Sequence, residues 1–167
     1  MIALKTILVA TDFSAPADTA LRYGKDLART HGASLHLLNV ADDLGARMAA
    51  APMAIVPDLG HLQSDLEEDA RRAVAALLTD EDRRVLRAQP MVLTASRPTD
   101  AILSYARDVN ADLIVMGTHG RTGVAHLFMG SVAEHVVRAA PCPVLTVRHP
   151  EREFVQPDAL QVVAPPG

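Results

Sequence analysis

The chain has 167 residues, a length that suits one domain able to bury about two thirds of its unfolded surface. Hydrophobic residues make up 49% and aromatic residues 3%, so a core has to be assembled mainly from Ala, Val, Leu and Ile. A formal net charge of -4 with mixed signs gives no basic footprint for nucleic acid, and no run of about eighteen apolar residues exists to span a membrane.

The start, Met1-Ile2-Ala3-Leu4-Lys5, leads directly into a strand and lacks the basic region, apolar run and cleavage pattern of a signal peptide. This predicts a cytoplasmic protein. The single cysteine, Cys142, makes no internal disulfide, in keeping with a reducing compartment. Flanked by Pro141 and Pro143, it reads as a small buried residue rather than a nucleophile.

Thr6 to Ala10 reads as a buried first strand and Thr11-Asp12-Phe13-Ser14 as the turn after it. Ala17, Leu21, Leu27 and Ala28 then recur at near-helical spacing, and Gly32 ends that helix as a carboxyl-terminal cap. Leu35 to Val40 is the second strand, so strand, helix and strand form a right-handed parallel crossover. Ala41 to Asp58 has no period and is expected to be a long loop. Leu62, Leu66, Ala70, Val74, Leu77 and Leu78 mark an amphipathic helix with Glu67, Glu68, Arg71 and Arg72 on its wet side.

Val85 to Thr94 reads as a third strand, and Pro90, which has no N–H for a ladder, puts it at a sheet edge. Thr99 or Asp100 is expected to cap a helix through Ile102, Leu103, Ala106 and Val109 to Asn110. Leu113 to Met116 is an unbroken apolar run, as in a parallel strand covered on both faces. Gly117-Thr118-His119-Gly120 follows, and Gly130-Ser131 then opens a helix from Val132 to Ala139, with Ser131 as its cap and Pro141 as its stop. Val144 to Val147 is the last strand. Residues 149–167 are proline-rich and are expected to form an extended arm beyond a domain of residues 1–148.

Five such strands alternating with helices predict an α/β fold, a doubly wound five-stranded parallel sheet with helices on both faces. With Pro90 at an edge, the order 3-2-1-4-5 is a natural one. The chain then reverses direction between strands 1 and 4, and ligands of open α/β sheets bind beyond the strand carboxyl ends at such a reversal. The Asp12 turn and the Gly117 loop are thereby expected to share one crevice.

The spacing Gly-x2-Gly-x9-Gly-Ser from Gly117 to Ser131 resembles the nucleotide signature of the ATP-binding universal stress proteins. Ile7 to Ser14, Leu37-Leu38-Asn39-Val40 and Ala140-Pro141-Cys142-Pro143-Val144-Leu145 also resemble landmarks of that family, over roughly residues 4 to 148. The resemblance implies the same Rossmann-like sheet, of the adenine nucleotide alpha hydrolase type. It implies that Asp12 and Val40 hold an adenine end, that Gly117 lies near the ribose, and that Gly120, Gly130, Ser131 and Val132 surround the phosphates. Thr11, His119 and Arg121 match positions that also touch the ligand. ATP with Mg2+ is the implied cofactor, and the implied partner is a second copy, paired antiparallel across Val144 to Val147. The segment Ala95-Ser96-Arg97-Pro98 departs from the family pattern, which often has glycine there, and so changes the loop beside the crevice.

The residues alone allow plainer uses. The glycines suit a tight turn, Ser131 a helix cap, Asp12 its own turn, and Val40 a strand end. His119 reads equally as a phosphate ligand or an idle loop residue, and Arg121 as a phosphate partner or a solvated or intersubunit cation. His119, His126 and His135 are too widely spaced for a zinc site. No Gly-x4-Gly-Lys-Ser/Thr occurs, so the lysine that supports phosphoryl transfer in P-loops is missing, and no catalytic residue is assigned.

The reading is therefore an ATP-binding regulatory or stress-response protein with at most slow hydrolysis. ATP would order Arg121 to Met129 and Ala41 to Asp58, changing a surface read by an unidentified protein partner. The alternatives are a nucleotide-independent interaction module of the same fold and an adenylating or ATP-hydrolysing enzyme.

Overall fold

The computed structural model describes residues 3–50, 58–118 and 129–148. It contains β1 (Thr6–Thr11), α1 (Ala15–His31), β2 (Ser34–Asp42), α2 (Leu44–Ala49), α3 (Leu59–Ala76) and α4 (Asp80–Val85). After these come β3 (Gln89–Ala95), α5 (Pro98–Asp108), β4 (Leu113–Gly117), α6 (Ser131–Ala139) and β5 (Val144–Val147). The five strands are parallel in the order β3-β2-β1-β4-β5, with Pro90 on an edge strand as expected.

Side-chain alternation along the central strands feeds two cores. Ile7 and Val9 of β1 and Leu35 and Leu37 of β2 join Ala20, Leu21 and Ala28 of α1 and Val74 of α3. Leu8, Ala10, Leu38 and Ile114 point the other way, onto Ile102 and Ala106 of α5 and Val136 of α6. Gly24 brings α1 hard onto β1, because a Cβ there would collide with the Val9 side chain. Gly32, at φ 64, ends α1 in the left-handed conformation expected of a glycine cap.

Several boundaries differ from expectation. The segment expected to be a loop holds the end of β2 and all of α2, whose start is capped by the Asp43 carboxylate accepting from the Ala46 N–H at 2.9 Å. Residues 51–57 of that segment lie outside the described residues, as do Arg121 to Phe128 and the arm 149–167. Val85 belongs to α4 rather than β3 and is half exposed. The signal for α4 is a capping box: the Thr79 hydroxyl accepts from the Asp82 N–H, and the Asp82 carboxylate accepts from the Thr79 N–H.

Asp82 does more than cap. Only 1% exposed, it meets Lys25 Nζ at 2.7 Å and an Arg29 nitrogen at 3.0 Å, joining α4 to α1. Burial by itself raises the carboxyl pKa. The Lys25 ammonium and the Thr79 backbone and hydroxyl donors more than offset this, and hold it below the usual carboxylate range.

α5 is capped at Arg97 rather than at Thr99 or Asp100, because Pro98 with its fixed φ takes the first helical position. For the same reason of register, Ser131 is the first residue of α6 and not its cap. Gly130 is the cap, and among the described residues no side chain caps this end. Cys142 is half-buried against the α5 and α6 side of the core, where burial pushes its thiol pKa up.

Candidate functional site

A cavity of about 620 Å³ opens at the carboxyl ends of β1, β2 and β4, where the chain reverses between β1 and β4. Its apolar floor is Ala10, Leu38, Ile102 and Met116, all buried. Seven of the ten residues expected at the site line it: Thr11, Asp12, Val40, Gly117, Gly130, Ser131 and Val132. His119, Gly120 and Arg121 lie outside the described residues.

The Asp12 turn is held from within. The Phe13 N–H donates to Thr11 Oγ1 at 3.1 Å, while the Ser14 N–H donates to Asp12 Oδ1 at 3.2 Å and the Ser14 hydroxyl donates to the same oxygen. Phe13 takes φ 64, a conformation that costs energy in a bulky residue and persists only where its neighbours impose it.

Gly117 has a reason for being glycine that the sequence did not reveal. Its backbone is not left-handed, yet an added Cβ would lie 2.8 Å from Pro16 Cβ, 3.0 Å from the Pro16 carbonyl carbon and 3.1 Å from the Ala17 nitrogen. The amino end of α1 occupies the space a side chain would need.

On the other wall, the Thr118 N–H donates to the Val147 carbonyl at 2.8 Å and the Gly130 N–H donates to the Thr118 carbonyl at 2.7 Å. These bonds dock the start of α6 beside the end of β4. With no side-chain cap, the first N–H groups of α6 keep their donor capacity at the crevice wall formed by Ser131, Val132 and Ala133. Uncapped N–H groups and the positive end of the helix dipole suit an anion.

The sequence reading missed the contribution of α3. Leu66, Asp69, Ala70 and Ala73 line the cavity, and the two alanines leave room above the sheet. Gln63 fixes the approach of α3: its oxygen accepts from the Leu44 N–H at 2.9 Å, and its amide donates to the Asp42 carbonyl at 3.2 Å. The Thr94 hydroxyl donates to Glu67 at 2.8 Å, which with Gln63 and Arg71 lowers that carboxyl pKa. Periodicity showed α3 to be amphipathic but could not show which crevice its apolar edge reaches.

Among the described residues lining the cavity, Asp12, Asp42 and Asp69 carry charge and no Lys, Arg or His does. Asp42 lies 3.3 Å from Arg47 and Asp69 lies 2.6 Å from Arg72, both exposed pairs. The crevice thus joins an apolar floor, a carboxylate side and a helix end rich in N–H donors.

The universal stress protein family model matches residues 3–148. A universal stress protein of Thermus aquaticus, from the QAH/OAS sulfhydrylase 3' region, is 40% identical over 152 residues, covering 86% of this chain and 98% of its own. Universal stress protein UspA from Lactobacillus plantarum superposes with a TM-score of 0.70 at 26% identity, covering 89% of this chain and 100% of its own. The universal stress protein from Archaeoglobus fulgidus in complex with dAMP shares the fold, with a TM-score of 0.56 at 23% identity over 88% of this chain and 99% of its own. The matched span contains the whole sheet, every described helix and the crevice, and the chain belongs to the universal stress protein family.

Proposed function

We propose that the crevice binds an adenine nucleotide, ATP with Mg2+, and that the chain is a nucleotide-dependent regulatory or stress-response protein. The observation that carries this reading is the convergence of Asp12, Val40, Gly117 and Gly130-Ser131 from four separate stretches of the chain on one cavity. Its apolar floor suits a purine, and the uncapped α6 end suits phosphates. The Archaeoglobus fulgidus universal stress protein, which shares the fold, is in complex with dAMP, and this supports the reading.

Magnesium is proposed to arrive with the nucleotide, held by its phosphates. Hydrolysis would at most be slow, because the chain has no P-loop lysine. Val144–Val147 is a sheet edge, and pairing there with a second copy about a two-fold axis is the proposed assembly. A chain that stays monomeric at every concentration would refute it. A cytoplasmic location accords with the single cysteine, and residues 149–167 are assigned to an extension beyond the family domain.

The test is calorimetric titration of Mg-ATP into the wild type and a Gly130→Val, Ser131→Ala variant. Binding to the wild type and its loss in the folded variant is the expected result. The acidic lining favours one second reading, a nucleotide-independent interaction module, and a folded wild type that binds no nucleotide would establish it over the first.

A further inference from the structure

Asn39 was not among the expected site residues, yet it lines the crevice and is only 4% exposed. It is the β2 neighbour of Thr11, and its Nδ2 donates to the Thr11 carbonyl at 2.8 Å. β1 pairs with β4 only as far as Ala10, so Thr11 is where β1 leaves that neighbour. The carbonyl of Thr11 belongs to the peptide plane that joins it to Asp12. Peptide planarity therefore ties the direction of this carbonyl to the direction in which Asp12 departs.

The remaining bonds extend that constraint. Thr11 Oγ1 accepts the Phe13 N–H, and Asp12 Oδ1 accepts from the Ser14 N–H and hydroxyl. Turning the amide of Asn39 over would set its oxygen against the Thr11 carbonyl, which fixes the donor's identity. Among the described residues no donor reaches the Asn39 oxygen, so the Thr11 bond alone orients this side chain.

We propose that Asn39 is a positioning residue that sets the Asp12 turn for the base end of the ligand, an inference that rests on the adenine-nucleotide reading for its effect on binding. Asn39 acts through the Thr11–Asp12 peptide and not by phosphate contact. The phosphate end belongs to the α6 wall, which Asn39 does not support.

Two variants separate the bond from the volume. Asn39→Leu keeps the size and removes the donor. Asn39→His places a ring N–H at the same distance along the side chain, and the crevice that Asn39 lines can take the larger ring. Amide hydrogen exchange at Phe13 and Ser14, measured without nucleotide, should accelerate at least about tenfold in Asn39→Leu and return toward the wild-type rate in Asn39→His, with α6 unchanged. Calorimetry should show Mg-ATP affinity falling about tenfold in Asn39→Leu, with binding of Mg-tripolyphosphate unaltered.

Unchanged exchange in the turn, or equal loss of both ligands, overturns the proposal. The expected exchange pattern in a wild type that binds no nucleotide would uphold the clamp and refute the nucleotide reading. If Asn39→Leu does not fold, Asn39→Ala carries the same measurements, with the same outcomes deciding.

Discussion

Alanine at Gly117 tests whether this glycine keeps space for a ligand or for the protein itself. The added Cβ meets Pro16 Cβ at 2.8 Å, the Pro16 carbonyl carbon at 3.0 Å and the Ala17 nitrogen at 3.1 Å. Two of these three atoms are backbone, and the ring of Pro16 fixes its φ, so no flexible side chain can swing aside. Either α1 must move away from β4 or the end of β4 must bend. Overpacking of this kind costs about 2 kcal/mol, within a usual span of about 1–3. For a domain of this size that lowers the midpoint of thermal denaturation by roughly 4–8 °C.

The assay is thermal and urea denaturation of Gly117→Ala without nucleotide. A second substitution refines it: Pro16→Gly in the Gly117→Ala background removes the nearest atom and leaves both backbone contacts. Recovery should therefore be partial, after correction for the effect of Pro16→Gly alone. A Gly117→Ala chain as stable as wild type, yet deficient in Mg-ATP binding, would refute the packing argument and give the glycine to the ligand.

Further expectations concern the buried polar groups. Asp82→Ala leaves the Lys25 ammonium its bond to the Leu77 carbonyl but no carboxylate, and removes the half of the α4 capping box that receives the Thr79 N–H, a loss of about 3 kcal/mol that chemical denaturation would read, and a cost below about 1 would sink the role assigned to the cluster. Because the folded Asp82 pKa is depressed, its stabilisation is complete above about pH 4 and is lost as pH falls through the folded value. The gap between wild type and Asp82→Ala should therefore narrow in acid.

His36 is the opposite kind of site. Its Nδ1 lies 2.9 Å from the Tyr105 hydroxyl, and burial lowers its pKa. The unfolded chain then binds more protons below about pH 6.5, so stability should fall as pH drops below that value, by at most about 1.4 kcal/mol per pH unit. Replacing His36 by Gln should flatten that limb; an unchanged slope would assign it to other groups. Gly24→Ala, which drives a methyl into Val9, should destabilise by about 1–3 kcal/mol in the same assay.

Much of this molecule is written in short stretches of sequence. Leu113 to Met116 could only be a doubly covered strand, Gly32 could end α1 because it tolerates φ 64, and Pro90 without its N–H had to lie at an edge. Those facts fit the order 3-2-1-4-5, which the family landmarks also imply, and from that order follows the crevice at the reversal. Helix starts were less legible: the cap of α5 falls at Arg97, two or three residues before the one expected, and the cap of α6 at Gly130, one residue before. α2 was hidden by its brevity, since six residues carry too little periodicity to announce a helix.

What tertiary structure decided is what depends on clearance between segments far apart in the chain. A glycine looks the same in sequence whether it faces a ligand or, like Gly117, the end of α1. Asp82 looks like one of many surface acids until Lys25 and Arg29 close on it. Asn39 looks like a strand residue until its amide reaches the carbonyl at the end of β1. Periodicity reports that a face is covered. The identity of the covering atoms, and the few tenths of an ångström between them, arise only once the sheet brings distant residues together.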